Sequence, residues 1–322
     1  MIDRRTLLGW IALGCSFAAD GEAQPKAARI GILSPPEPFT AAGVFQRGLQ
    51  ELGYGDASGT RIEYRSSEGS EDRWPALAAE LVRLKVDVII AITPPAIRAA
   101  QAATTTIPIV MLLSGDPVRS GLVRSLARPG GNTTGPATLT VDLAPKQLQI
   151  FKEAVPSLRE VAILVNPIYP RVRQVLAQME AAGPKLGLRV RILEVREPPE
   201  VDRALAELGR ARPDGLFVMA SPLTSASMDK IVEFVTAHRL PGIDPRRQFP
   251  ERGGLMSYGI DYAEHVRIGL RYVDRILRGA KPGDLPVEQP TKFELVINLR
   301  TARTLGVAIP QALLLRVDQV IQ

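Results

Sequence analysis

The stretch from Val86 to Gly135 decides the fold. It reads Val-Asp-Val-Ile-Ile-Ala-Ile-Thr-Pro-Pro over 86–95, passes an alanine-rich segment, and continues Ile-Pro-Ile-Val-Met-Leu-Leu-Ser-Gly-Asp-Pro over 107–117. Each apolar run ends at a small polar residue followed at once by proline. A buried strand that stops at a polar helix cap, with proline at the first helical position, writes this pattern. The device recurs at Ser34-Pro35, Thr93-Pro94, Asp116-Pro117, Asn166-Pro167, Ser221-Pro222 and Asp244-Pro245. These strand ends present a hydroxyl, amide or carboxylate beside a helix N-terminus. In open α/β sheets, ligands bind in the crevice outside the carboxyl ends of the strands. The pattern therefore points to small-molecule binding.

Upstream, 29–34 reads as a first parallel strand, and a helix is predicted over 41–52, with Phe45, Leu49 and Leu52 on one face and Gly53 as its stop. A strand over 61–65 and a helix over 74–85 follow, the helix burying Leu77, Leu81 and Leu84. The third strand ends at Thr93, a helix covers 96–103, and the fourth strand ends near Ser114. Strict alternation of strand and helix argues a parallel, doubly wound sheet with right-handed crossovers.

Pro129-Gly-Gly-Asn-Thr-Thr-Gly-Pro136 breaks that rhythm and reads as a crossing between lobes. Alternation then restarts: helices over 143–155, 171–186, 201–211 and 225–238, and strands over 161–165, 189–195 and 216–219. Gly253 to Gly259 reads as a second crossing, followed by a helix over 262–277 with Val266, Leu270, Val273 and Leu277 on one face. The proline-rich segment 281–290 reads as a third crossing. The expected fold class is α/β: two doubly wound parallel-sheet lobes joined by a multi-strand hinge. The expected division is an export signal over 1–23, a first lobe over 28–137 plus 258–282, and a second over 138–257 plus 283–322. Lobes joined this way suit hinge closure over a ligand.

Bulk properties narrow the function. The chain has 322 residues, 45% of them hydrophobic, enough for two compact domains. Cys15 is the one cysteine, which excludes an internal disulfide and a thiolate zinc site. His238 and His265 are the only histidines, so no multi-histidine metal centre is expected, and no cofactor. The net charge of +6 comes from 40 basic and 34 acidic residues spread along the chain, and no dense basic tract with interleaved aromatics marks a nucleic-acid binder. A monomer with a basic, soluble surface is expected. At the N-terminus, Arg4-Arg5 precede the apolar run from Leu7 to Leu13, too short to span a bilayer. This reads as an export signal of twin-arginine character cleaved after Ala23, which predicts a periplasmic protein; lipidation of Cys15 is the alternative.

Seven residues are candidate ligand contacts: Ser34, Thr93, Ser114, Asp116, Asn166, Ser221 and Tyr258. Asp116 can pair with an ammonium group, and it can equally cap the helix after Pro117. Ser34, Thr93 and Ser221 can donate to a carboxylate beside a helix N-terminus, or serve only as caps. Asn166 both donates and accepts, or forms an Asx turn before its proline. Tyr258 can stack on a ligand or pack at the hinge. Phe39 and Tyr169 are weaker aromatic candidates, the histidines read as exposed or structural, and Arg246-Arg247 reads as a solvated pair.

Several segments carry a family resemblance. They are Phe45-Gln-Arg-Gly-Leu-Gln-Glu-Leu-Gly-Tyr54, Leu77-Ala-Ala-Glu-Leu-Val-Arg-Leu-Lys-Val-Asp-Val88, Gly115-Asp-Pro117, Leu126-Ala-Arg-Pro-Gly-Gly-Asn-Thr-Thr-Gly135, Gly254-Leu-Met-Ser-Tyr-Gly259 and Leu285-Pro-Val-Glu-Gln-Pro-Thr-Lys-Phe-Glu-Leu-Val-Ile-Asn298. Together they resemble the substrate-binding components of ABC transporters, in the group that includes the tryptophan- and tyrosine-binding lipoproteins. The resemblance implies a type I periplasmic binding protein with a membrane permease and its ATPase as partners, capturing a small solute such as an amino acid or related zwitterion. A periplasmic ligand sensor serving a receptor is the alternative. An α/β enzyme is disfavoured, because no phosphate loop, nucleophile elbow, Cys–His pair or metal-ligand spacing occurs.

Overall fold

The computed structural model describes residues 27–35, 42–68, 70–138, 143–168, 172–289 and 292–322. The export signal, Cys15, Phe39 and Tyr169 lie outside the described residues. In chain order the elements begin β1 (Arg29–Ser34), α1 (Ala42–Glu51), β2 (Arg61–Ser66), α2 (Trp74–Arg83), β3 (Val88–Ala91), α3 (Pro94–Ala103), β4 (Ile109–Met111) and β5 (Thr133–Thr134). A second run follows: α4 (Leu143–Ala154), β6 (Glu160–Val165), α5 (Val172–Ala182), β7 (Arg189–Glu194), α6 (Pro198–Ala211), β8 (Gly215–Val218), α7 (Pro222–Ala226) and α8 (Met228–Ala237). The chain ends with β9 (Gly242–Asp244), α9 (Gln248–Glu251), β10 (Met256–Ile260), α10 (Tyr262–Leu277), β11 (Phe293–Asn298), α11 (Leu299–Leu305), α12 (Gln311–Leu314) and β12 (Gln319–Ile321).

Two sheets result. The first has the order β2-β1-β3-β4-β5, all parallel. The second has the order β12-β11-β10-β9-β8-β6-β7 and is parallel except where β11 runs against β10. Strands buried on both faces must be apolar at successive positions, and these are. Ile30 and Ile32 of β1, Val88 and Ile90 of β3 and Val110 of β4 pack with Phe45 of α1 and Leu270 of α10. Their neighbours Leu33, Ile89, Ala91, Ile109 and Met111 pack on the other face with Leu77 of α2 and Ile97 of α3. The second sheet repeats the scheme. Val161, Ile163 and Phe217 face α4 and α5, whereas Ala162, Leu164, Leu216 and Val218 face α6 and α8. Each fully buried large side chain contributes about 1.5–3 kcal/mol of transfer free energy.

The structure revises the expected crossings. Gly253–Gly259 is not a crossing: β10 pairs with β9 and β11 inside the second sheet, so the chain leaves it after Ile260. The glycines there answer to close packing instead. A Cβ on Gly259 would lie 2.0 Å from the Pro245 carbonyl oxygen, and one on Gly254 would lie 2.3 Å from the Phe249 ring. The return crossing also comes later than residue 283. Thr134 Oγ1 donates to the Leu285 carbonyl (2.7 Å), Val287 N to Leu126 O (2.7 Å) and Ala137 N to Glu288 O (2.8 Å), which holds this segment on the first sheet. The helix expected over 225–238 is two, because Ser227 (φ −98°, ψ 9°) interrupts it.

The helix α10 carries the buried His265, whose Nε2 donates to the Leu112 carbonyl oxygen at 3.1 Å and whose Nδ1 has no partner among the described residues. Burial lowers its pKa below the ordinary histidine value, against a smaller opposing effect of the Leu112 carbonyl. The folded state therefore holds it neutral at a pH where the unfolded chain binds a proton. Stability is complete above about pH 6.5 and falls as pH drops below it, by up to ~1.4 kcal/mol per unit from this group. Urea titrations across that range should show the loss, and His265→Gln should flatten this component of the pH profile.

Candidate functional site

The site follows from how the chain crosses between the sheets. The first crossing leaves the carboxyl end of β5 and enters α4, which precedes β6 and so starts at the carboxyl edge of the second sheet. The second leaves the carboxyl end of β10 and enters α10, which packs against the first sheet. The third enters β11, and since β11 is antiparallel to β10 it begins at that same carboxyl edge. All three crossings join carboxyl edge to carboxyl edge. The two rows of strand ends therefore face one another, and that crevice is where α/β sheets take ligands.

On the first sheet, Ser34 closes β1, is 4% exposed, and donates its hydroxyl to the Pro35 carbonyl at 3.0 Å. Thr93 is the N-cap of α3, buried to 6% exposure, yet its hydroxyl makes no cap bond. Prolines fill the first two helical positions, so Ala96 supplies the first N–H of α3, and helix geometry gives that N–H no intrahelical acceptor. Thr93 and Ala96 are thus two donors at one helix start. Ser114 is buried, its hydroxyl 3.4 Å from the Gly115 carbonyl. Asp116 caps the turn that follows it, with Oδ1 accepting from Arg119 N at 3.0 Å and Oδ2 lying 3.8 Å from Arg119 Nε.

On the second sheet, Asn166 forms the Asx turn, its Oδ1 accepting from Ile168 N at 3.1 Å. Ser221 forms a complete capping box with Thr224, accepting from Thr224 N at 3.1 Å. Tyr258 lies within β10, its ring 6.1 Å from that of Phe293 and its carbonyl accepting from the buried Gln147 side chain of α4 at 2.6 Å. Burial raises the Tyr258 pKa, so the phenol stays protonated and able to donate. A direct bridge spans the crevice: Arg119 Nη1 donates to Gln174 Oε1 of α5 at 3.2 Å. It ties the Asp116 turn to the helix after Asn166. His238 is exposed and stacks on Phe234, with ring centroids 4.1 Å apart.

Two residues escaped the sequence reading. Arg246 is not solvated: its side chain is 15% exposed and pairs with the fully buried Asp244 at the carboxyl end of β9. Its Nε donates to Asp244 Oδ1 at 2.8 Å, Nη2 reaches Asp244 Oδ2, and Nη1 reaches Ser225 Oγ. An Arg-Arg doublet carries no signal of burial; the signal lay in Asp244, read only as a cap, two residues earlier. Trp74 opens α2 in the same apolar cluster as Leu33 and Ala91, near the ends of β1 and β3. Its indole N–H is buried with no acceptor among the described residues.

Two facing parallel sheets, crossed three times, with polar strand ends lining one crevice, define the two-lobed type I periplasmic binding protein fold. The comparisons with known proteins agree. The chain belongs to the ABC transporter substrate binding protein family, whose model matches residues 28–321. It is 28% identical over 262 residues to the tyrosine-binding protein of Clostridioides difficile strain R20291, covering 81% of this chain and 75% of that one. A Streptococcus pneumoniae ABC domain in complex with L-Trp superposes with a TM-score of 0.81 at 27% identity, over 92% of this chain and 100% of that one. A ligand-free, open substrate binding protein with adhesive properties from Clostridium difficile superposes with a TM-score of 0.65 at 25% identity, over the same shares.

Removing one member of the Asp244–Arg246 pair strands a buried charge, which costs about 3–5 kcal/mol. Arg246→Met should lower the urea midpoint accordingly, and Asp244→Leu combined with Arg246→Met should recover much of the loss.

Proposed function

We propose that this chain is the extracytoplasmic solute-binding component of an ABC importer, closing its lobes on a small zwitterion of the aromatic amino-acid class for delivery to a permease and its ATPase. The observation that carries this reading is the facing of the two carboxyl edges, with donors on both sides and a bridge across them. Closure sequesters the solute and distinguishes the loaded from the empty protein. The better superposition on the L-Trp complex than on the open, ligand-free relative supports a closed arrangement of the lobes. The tyrosine-binding relative and the L-Trp complex support an aromatic amino acid as the solute class.

In this reading the Thr93 hydroxyl and the Ala96 N–H take the solute carboxylate at the positive end of α3. The Asp116 carboxylate faces the ammonium group, with Arg119 swinging aside or remaining on Gln174. Ser34, Ser114, Asn166 and Ser221 supply polar wall, Tyr258 an aromatic one, and the Trp74 indole N–H a further donor. The two lobes need no chemical step, so the protein acts by binding alone. The segment before residue 24 serves as its export signal.

Thermal-shift and calorimetric titration of residues 24–322 against aromatic amino acids, sugars and simple carboxylates tests the reading. Stabilisation by at least one aromatic amino acid is expected, growing with concentration by mass action. Asp116→Asn keeps a capping side chain but loses the charge, so the unliganded melting temperature should hold while affinity falls about tenfold or more. No stabilisation by any amino acid would overturn the solute class, and undiminished affinity in Asp116→Asn would remove the ammonium role.

A further inference from the structure

The amino-terminal edge of the second sheet lies opposite the crevice, and it carries a row of arginines. Arg239, Arg212, Arg159 and Arg189 stand at or just before the starts of β9, β8, β6 and β7, the lateral order of those strands in the sheet. Adjacent strands are about 4.8 Å apart, so the row spreads over roughly 15 Å. All four are exposed. Arg189 pairs with Glu160 at 2.8 Å. Among the described residues, Arg159, Arg212 and Arg239 have no carboxylate partner. Asp214, the acidic residue amid them, spends Oδ2 on the backbone N–H groups of Arg159 (3.0 Å) and Glu160 (2.9 Å).

Arg212 and Arg239 also sit where the backbone favours glycine. Both adopt φ 50° just past the ends of α6 and α8, in the left-handed region that costs a side-chain-bearing residue energy. Cations at helix C-termini recover part of that cost, as Lys85 (φ 53°) does after α2. What sets this pair apart is convergence. Both line one cavity of about 480 Å³, which Asp214 and His238 share with the apolar side chains of Leu208, Phe234, Leu240 and Pro241. A hollow of mixed polarity, rimmed by guanidinium forks that have no carboxylate partner among the described residues and with Asp214 Oδ2 held on backbone N–H groups, matches an amphipathic phosphodiester, because the forks bind phosphate oxygens bidentately while Leu208, Phe234 and Leu240 offer apolar surface to the glycerol.

We propose that this edge of the second lobe is an interaction surface for anionic phospholipid headgroups, with Arg212 and Arg239 as its anchors. Flanking Arg159 extends the positive field along the bilayer plane, while the charge of Arg189 is offset by Glu160. The crevice, at the other end of the second sheet, stays free to load solute while this edge rests on lipid.

Co-sedimentation of the mature chain with vesicles of phosphatidylcholine alone, or with added phosphatidylglycerol, tests the proposal. Binding should require phosphatidylglycerol and fade with salt. The double variant Arg212→Gly, Arg239→Gly should lower the partition about five-fold per arginine removed. Glycine suits both backbone conformations, so this variant should melt no lower than the parent and keep its solute-induced thermal shift. Equal partition of variant and parent would overturn the proposal. So would stabilisation by inorganic phosphate without vesicle binding, or retention on polyglutamate without vesicle binding. The first of these would mark a free-anion site and the second an acidic protein partner. Because vesicle binding is read without solute, failure here leaves the solute-capture reading standing, and the reverse also holds.

Discussion

The carboxyl edges of the two sheets face each other because the chain has no other way to cross. Every strand of the first sheet points the same way, and each of the three crossings leaves or enters at the edge those strands point toward. Parallel strands need long right-handed returns, so their helices cover both faces and only the strand ends stay open to a ligand. The crevice between the lobes is therefore bordered by strand ends and by the starts of the helices that follow them. Thr93, Asp116 and Asn166 stand beside the carboxyl ends of their strands for this reason, despite their separation along the chain.

Much of this was legible in the sequence, and the misses have physical causes. Polar residue followed by proline marked the strand ends because proline fits the first helical turn and the residue before it terminates the strand. Helices with a clear apolar stripe, such as α10, ended where periodicity said they would. The two-residue β5 is too short to show alternation, and its Thr-Thr lies among glycines that read as a turn. Gly253–Gly259 misled for a related reason. Glycine signals both a turn and a place where atoms crowd, and only the positions of Phe249 and Pro245 reveal the second meaning. The lobe boundaries shifted with it, since β10 lies in the second sheet and the segment before Gln289 hydrogen-bonds to the first.

The candidate site was less legible than the fold. Sequence spacing placed the polar residues at strand ends but left each suspended between cap and ligand contact. The structure separates them by their partners: Ser221 and Asn166 have their oxygens engaged in local turns, whereas the Thr93 hydroxyl has no cap bond. Arg246 shows the limit of one-dimensional reading most plainly. Its burial depends on Asp244 at the end of β9 and Ser225 within α7 meeting it, and no local pattern announces a three-way meeting. The two ends of the second sheet also differ in electrostatic character. At the crevice end its arginine is matched by a buried carboxylate, while at the opposite end three guanidinium groups stand without one among the described residues.

The placement of α10 has a consequence for biogenesis. This helix comes from residues 262–277, yet it covers one face of the sheet that opens the chain, and the segment ending near Gln289 then borders β5. The lobe that emerges first from the ribosome is thus completed late, after the whole middle of the polypeptide has been made. Until then the sheet face bearing Ile32, Ile90 and Val110 has α1 upon it but lacks the cover of Val266, Leu270 and Val273 of α10. The arrival of the stretch from Tyr262 onward, the last fifth or so of these 322 residues, and not the early synthesis of the first sheet, sets when both lobes are finished.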